Sequence, residues 1–126
     1  MAVASGTITG VSLLRSKEGS GRKAYLLTVD FPAYAGATDT ASIAGVGAAI
    51  LAKTRNAKTV TLRGAVPIAP GKDTAAQDVY FTGTAVLAAT VSTDALTGQL
   101  SAADGTELTT STASKGAELC VIVDEA

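Results

Sequence analysis

The chain contains no histidine and no tryptophan, and its 126 residues include a single cysteine, Cys120. Without histidine, a Ser-His-Asp triad, imidazole acid–base catalysis and the ligation of zinc or haem by histidine are excluded. With one cysteine, an internal disulfide, a Cys-x-x-Cys redox pair and a four-thiolate metal site are excluded as well. Much of the chemistry that enzymes use is therefore closed to this chain.

Strong charge of either sign is also missing. Ten Lys and Arg residues face eleven Asp and Glu residues, for a net charge of -1, so the chain lacks the basic field that attracts nucleic acids. We therefore predict no direct nucleic-acid partner.

Long apolar runs are absent too, although 47% of the residues are hydrophobic. The longest uncharged stretches, residues 1–14, 40–52 and 79–93, are shorter than the about 20 apolar residues of a membrane span. Residues 1–14 have neither a basic start nor an Ala-x-Ala site after a compact apolar segment, so we expect no signal peptide. The unpaired Cys120 fits a cytoplasmic site of synthesis.

Alternation of apolar and polar residues is the clearest pattern that is present. It covers residues 59–68 and 79–91 and predicts two half-buried strands. The residues predicted to share the apolar face of the first strand are Val60, Leu62, Gly64, Val66 and Ile68. Because Pro67 cannot donate a ladder hydrogen bond, this strand is expected at a sheet edge or to end there.

Three further strand signals flank these two. Residues 7–15 and 23–31 surround the polar loop 16–21 and predict a hairpin, with Tyr25, Leu27, Val29 and Phe31 on one face. Asp104-Gly105 predicts a second hairpin between residues 96–103 and 106–112. The last segment, residues 118–124, is apolar on both faces and is expected to be covered on both sides.

One segment follows a helical period instead. Ile43, Val46, Ile50 and Leu51 recur at helical spacing, which predicts one Ala/Gly-rich helix at about residues 40–55. Each glycine inside a helix costs about 1 kcal/mol relative to alanine. We therefore interpret Gly45 and Gly47 as sites of close packing.

The order of these elements predicts a mainly β (α+β) fold, an antiparallel β-sandwich or small barrel with the helix covering it. At about 100 to 200 residues per domain, residues 1–126 are expected to form a single β-rich domain. We expect residues 1–6 to form a flexible N-terminal arm.

Two glycine motifs resemble phosphate-binding loops only in part. Gly45-x-Gly47 lacks the third glycine, since position 50 is Ile, and no strand is predicted immediately before it. The segment 70–74, Pro-Gly-Lys-Asp-Thr, lacks the upstream glycine, and Asp73 stands where Ser or Thr is needed. Helix packing and a tight turn explain the two motifs better.

Other reactive side chains have equally plain interpretations. Most carboxylates fall at predicted turns or strand ends, and alternation puts Asp30 on a solvent face beside a lysine of the adjacent strand. Cys120 reads as a small buried hydrophobe. Ser111 and Ser114 lie near Lys115, but such coincidences are expected in a Ser- and Thr-rich segment. We predict no enzyme and no catalytic, cofactor-binding or metal-binding residue.

Small side chains dominate what remains. Ala, Thr, Gly, Val and Ser form the larger part of the chain, and residues 79–93 contain neither Lys nor Glu, residues that are depleted at interface cores. This composition predicts a homo-oligomer or a subunit of a larger lattice. A stable monomer with a Thr-rich surface is the alternative.

Over its whole length the chain resembles small structural proteins of tailed bacteriophages: capsid decoration or cement proteins, minor capsid proteins, and head or tail tube components. The resemblance rests on the short start Met-Ala-Val-Ala-Ser-Gly at residues 1–6, the Thr- and Ala-rich strand Val-Tyr-Phe-Thr-Gly-Thr-Ala-Val at residues 79–86, one Ala/Gly-rich helix and the lack of a catalytic motif. It aligns no site residues.

The resemblance implies a virion protein, assembled in the host bacterial cytoplasm, that binds the major capsid protein as a dimer or trimer and reinforces the shell. The alternatives are another head–tail or tail component, or a small-ligand or carbohydrate-binding β-domain. A carbohydrate-binding domain needs clustered aromatic residues for stacking, and the chain has only three Tyr and two Phe.

Overall fold

The computed structural model describes residues 2–16, 21–53, 60–86 and 95–125. The strands of this part are β1 (Ala2–Ser16), β2 (Arg22–Phe31), β3 (Asp39–Ala44), β4 (Val60–Ala69), β5 (Gly71–Lys72), β6 (Asp78–Val86), β7 (Ala95–Ser101) and β8 (Ser114–Glu125). A 3-10 turn (Gly36–Thr38) precedes β3, and the helix α1 (Val46–Leu51) follows it. The predicted mainly-β fold with one small helix is confirmed.

The strands form one mixed sheet that folds over on itself. The first part of β1 pairs in parallel with β3, whereas the rest of β1 pairs antiparallel with β2. In the front sheet, β2 continues to β8 and then β4, giving the order β1-β2-β8-β4. In the back sheet, β3 continues to β7 and β6, and the short β5 links β6 to β8. This arrangement agrees with the predicted sandwich or small barrel, with one parallel pair added.

The hydrophobic core lies between the two sheets. In β2 the predicted face is confirmed, because Tyr25, Leu27, Val29 and Phe31 are all buried. The back sheet contributes Ile43, Phe81, Leu96 and Leu100. Across the core, the rings of Phe31 and Phe81 stack with centroids 5.6 Å apart, so the two sheets are joined by aromatic packing.

The predicted helix at about residues 40–55 is wrong over its first part. Residues 39–44 form β3, in which Ala41 and Ile43 face the core while Thr40 is exposed. Two neighbouring strands, β1 and β7, supply the backbone partners of β3, and this pairing overrides the helical spacing of the apolar residues. Gly45, with φ of 71°, then turns the chain into a helix of only six residues. Residues 54–55 lie outside the described residues.

The N-terminal segment, expected as a flexible arm at residues 1–6, belongs to β1 from Ala2 onward. Residues 2–6 pair one for one with residues 39–43, and Ala4 is buried. This start of the chain therefore forms the seam between the front and back sheets.

The first predicted hairpin is confirmed by the antiparallel register of β1 and β2; its loop residues 17–20 lie outside the described residues. At the second, Gly105 has φ of 88°, as the turn requires. The segment after it makes only isolated bridges, at Glu107 and Ser111, instead of a full strand. Residues 87–91 of the strand predicted over 79–91 also lie outside the described residues.

Candidate interaction surface

The outer side of the front sheet carries an apolar surface, which we call the front face. In β8, Leu119, Val121 and Val123 point into the core and are buried. Because side chains alternate along a strand, Cys120 and Ile122 point outward, and both are only partly buried. The front face consists of Ser12, Arg15, Ala24, Leu26, Gly64, Val66, Cys120 and Ile122, with the exposed Ile68 at its β4 margin.

The register of the four strands arranges these residues in rows. One row runs Ser12, Leu26, Cys120, Val66, and the next runs Arg15, Ala24, Ile122, Gly64. The row on the other side of Leu26 runs Gly10, Thr28, Glu118, Ala69. The apolar residues are therefore contiguous across β2, β8 and β4, and Ser12 and Arg15 of β1 border them.

Val66 and Ile68 belong to this exposed surface, contrary to the sequence prediction that they share a buried face with Val60 and Leu62. The pairing of β4 with β8 shifts register between Leu62 and Gly64. A bulge of this kind moves the following residues to the other side of the sheet. As a result Val66 is 57% exposed and Ile68, at a second bulge, is 52% exposed. The glycine at position 64, which interrupts the apolar pattern, was the available signal.

Charged residues lie at one end of the front face, which we call its charged end. The guanidinium of Arg22 donates to both carboxylate oxygens of Asp124, at 2.9 and 3.2 Å, and Arg63 Nε donates to the same carboxylate at 2.6 Å. The hydrogen bonds from Arg22 and Arg63 lower the pKa of Asp124 to about 2. One carboxylate thus connects β2, β8 and β4.

A second charged group lies just inside that end. Lys23 Nζ donates to Glu125 at 2.8 Å, and the Tyr25 hydroxyl donates to the other oxygen of the same carboxylate at 2.6 Å. Burial, and then this hydrogen bond, raise the pKa of Tyr25. The charges of this end are mutually compensated and hold the strands in register.

Arg15 and Glu118 are charged residues of the front sheet that lie outside these two groups. Arg15 is exposed at the margin of the front face, and Glu118 lies on β8 at the opposite end. Neither forms an ion pair with a residue that the structure describes.

A shallow depression of about 300 Å³ lies at the charged end of the front face. It is lined by Arg15, Arg22, Lys23, Ala24 and Ile122. Its floor is aliphatic and its rim is cationic. Such a depression can receive an apolar side chain that is accompanied by a carboxylate.

The outer side of the back sheet has the opposite character. Thr40, Ser42, Thr82, Thr97 and Gln99 occupy its outward positions. One of them interacts with a buried hydroxyl, since Thr82 Oγ1 lies 2.7 Å from Ser101 Oγ. These polar positions distinguish the back sheet from the front face, although Val3, which pairs with Thr40, is 59% exposed on the back sheet.

The side chains considered for chemistry are separated in the structure. Cys120 lies on the front face, partly exposed, where a fully buried residue was expected. Asp30 accepts a hydrogen bond from the backbone N–H of Gly116 in β8 at 3.0 Å, so its partner is the backbone of the adjacent strand and not the expected lysine. Asp73 accepts from the backbone N–H groups of Ala75 and Gln77, which makes the segment 70–74 part of a closed turn.

The serine–lysine coincidence does not form a site either. The hydroxyls of Ser111 and Ser114 are buried without a hydrogen-bond partner among the described residues, whereas Lys115 is exposed. Gly47 is buried in α1, and Gly45 supplies the left-handed turn before it. In the described ranges, no three Asp, Glu or Cys side chains come together as a metal site would require.

No protein-family model matches the chain, and no curated protein or solved structure is detectably similar to it. Within the part that the structure describes, no helix has the length and apolar character needed to cross a membrane.

Proposed function

We propose that the protein is a non-enzymatic virion structural protein that binds and stabilises a phage capsid shell, as a decoration, cement or minor capsid protein. The observation that carries the proposal is the front face, where Leu26, Val66, Cys120 and Ile122 are contiguous and accessible. Removing such a surface from water stabilises a complex by about 25 cal/mol per Å². A protein of this kind stabilises the shell by binding its subunits through such a surface.

The proposal also draws on the resemblance in composition and strand pattern to small structural proteins of tailed phages. Shell proteins are present in many copies, so a modest contact repeated over a lattice gives strong overall attachment. The major capsid protein is the proposed partner. The electrostatic balance of the chain fits a protein contact better than a nucleic-acid contact.

The alternative of a carbohydrate-binding domain gains no support from the described aromatic residues. Sugar recognition uses exposed rings for stacking. Four of the five aromatic residues are buried in the core: Tyr25, Phe31, Tyr34 and Phe81. The fifth, Tyr80 of β6, is partly buried and offers a single ring instead of a cluster. The front face is lined with aliphatic side chains.

Co-sedimentation with shells assembled from the major capsid protein tests the proposal. We expect the wild-type protein to sediment with the shells and to raise the temperature at which they disassemble. Val66→Lys should weaken both effects because it places a charge within the apolar surface. Thr97→Lys, at an exposed position of the back sheet, is the matched control and should behave as wild type.

Absence of co-sedimentation at saturating protein concentration would contradict the proposed function. Equal binding by Val66→Lys and wild type would show that the front face does not carry it.

A further inference from the structure

Leu26 lies between Arg15 and Glu118, neither of which forms an ion pair with a described residue. Arg15 lies on β1, the strand next to that of Leu26. It pairs with Ala24, in the row that lies next to Leu26 on the side of the charged end. Glu118 lies on β8, the neighbouring strand on the other side of Leu26. It pairs with Thr28, in the row next to Leu26 toward the opposite end of the sheet. Leu26 is therefore the midpoint of the line from Arg15 to Glu118.

We propose that the front face binds a second copy of this chain about a two-fold axis that passes close to Leu26. The inference rests on the proposed function only in its need for a contact surface; pairing of two copies requires no shell. In a two-fold interface each contact occurs twice, with the roles of the two copies exchanged.

Charge complementarity supports a second copy as the occupant. An axis that lies in the plane of the interface and perpendicular to the line from Arg15 to Glu118 places each Arg15 over Glu118 of the partner subunit. The same rotation forms the Arg15–Glu118 pair twice. The two front sheets then cross at a steep angle, as in orthogonal sheet packing.

The apolar rows match this arrangement. Leu26 lies at the axis, and Cys120 and Ala24 are its immediate neighbours in the sheet. Apolar side chains therefore meet apolar side chains at the centre of the contact, while the charged pairs lie toward its margin. This is the distribution found in stable protein interfaces.

Association through sheet edges is a less favourable mode for this chain. The edge strand β4 carries Pro67 and two register shifts in its pairing with β8. Proline and bulges at an edge oppose strand addition. Contact through the apolar face is the mode that the structure favours.

The size of the face indicates a weak dimer. Four strands at about 4.8 Å spacing and the three rows described above, each about 6.8 Å long, give about 19 by 20 Å, or about 400 Å² of projected surface per copy. A standard interface buries about 800 Å² of accessible surface per partner. We therefore expect dissociation in the micromolar range, and bivalent attachment where two copies act together.

Sedimentation velocity of the purified protein from micromolar to millimolar concentration measures the dimer. Arg15→Glu should raise the dissociation constant by about tenfold or more, because two attractive charge pairs become repulsive. Glu118→Arg should do the same for the same reason. Val66→Lys should abolish the dimer, and Thr97→Lys should leave it unchanged.

Exchanging the charges at positions 15 and 118 provides the decisive experiment. In an equimolar mixture of Arg15→Glu and Glu118→Arg, each contact between the two different variants joins a positive and a negative side chain. Heterodimers should therefore form at concentrations at which neither variant associates alone. The double variant Arg15→Glu/Glu118→Arg should regain the homodimer. A bis-maleimide should link Cys120 to Cys120 of the partner subunit in wild type and not in Val66→Lys.

A wild-type protein that stays monomeric at millimolar concentration would overturn the inference, and so would a dimer that tolerates Val66→Lys. A dimer without recovery in the mixture would overturn the two-fold arrangement around Leu26. The proposed function is judged separately: a monomer that co-sediments with shells refutes only the dimer, and a dimer that ignores shells refutes only the shell-binding role.

Discussion

At the scale of single residues, Asp124 joins three strands through one carboxylate. Arg22 and Arg63 both donate to it and hold its pKa at about 2, below the value of about 3.9 for an unfolded chain. A carboxylate whose pKa is lower in the folded state stabilises the fold above the unfolded-state pKa and loses that contribution as the pH falls through the folded-state pKa.

Asp124→Asn should therefore destabilise the protein at neutral pH, and its difference from wild type should shrink between about pH 4 and about pH 2. Urea unfolding at a series of pH values, at a concentration where the protein is monomeric, measures the difference. Glu118→Gln on the same strand is the control, since Glu118 forms no ion pair with a described residue. A difference from wild type that stays constant down to pH 2 would refute the role given to Asp124.

Tyr25 is the second residue whose contribution to stability can be tested. It lies at the core margin, almost fully buried, and its hydroxyl donates to the Glu125 carboxylate at 2.6 Å. Tyr25→Phe should lower the free energy of unfolding by about 2 kcal/mol, the usual value for a hydrogen bond to a charged group. Chemical denaturation at neutral pH gives the number. Tyr80→Phe, whose hydroxyl bonds to no described residue, should change stability by much less.

At the scale of elements, β1 depends on a glycine where it passes from the back sheet to the front sheet. A Cβ at Gly6 would lie 2.7 Å from Val29 Cγ1 and 2.8 Å from Phe31 Cε1. Gly6→Ala should therefore cost about 1 to 3 kcal/mol, as overpacking of a core does. Thermal unfolding followed by circular dichroism measures the effect.

Gly10→Ala is the matched control on the same strand. A Cβ there meets only Thr28 at 3.6 Å, an ordinary contact, so stability should change little. Equal losses for the two variants would mean that the cost arises from the strand backbone and not from the close approach at Gly6.

Sequence patterns predicted those elements in which alternation is uninterrupted. The buried face of β2 followed directly from Tyr25, Leu27, Val29 and Phe31. The helix prediction failed over β3 because Ala and Ile occur in helices and strands alike, and the deciding factor was pairing with β1 and β7. Tertiary pairing of this kind is not encoded in a local window.

The front face was missed for a different physical reason. Period-two alternation continues through residues 60–68 in the sequence, but the register shift at Gly64 changes which residues point outward. One extra residue in a strand exchanges its two faces. Val66 and Ile68 therefore looked like core residues although they form part of the surface on which the proposed function depends.

At the scale of the whole molecule, closure of the fold joins β2 to β8, whose residues lie far apart in the chain. A local stretch of sequence therefore predicts neither the closed ring of strand pairings nor the difference between the outer sides of the two sheets. Loop closure over such distances also slows folding relative to proteins built from local contacts.

The thermal stability of the whole molecule should depend on its own concentration if two copies bind through the front face. A dimer that forms only from folded chains shifts the unfolding equilibrium by mass action, so Tm should rise as the protein is concentrated from micromolar to millimolar. Scanning calorimetry over that range measures the rise. Arg15→Glu should need an about tenfold higher concentration for the same rise in Tm, and the double variant Arg15→Glu/Glu118→Arg should recover the wild-type dependence. A Tm that rises equally in all three would place the self-association on a different surface.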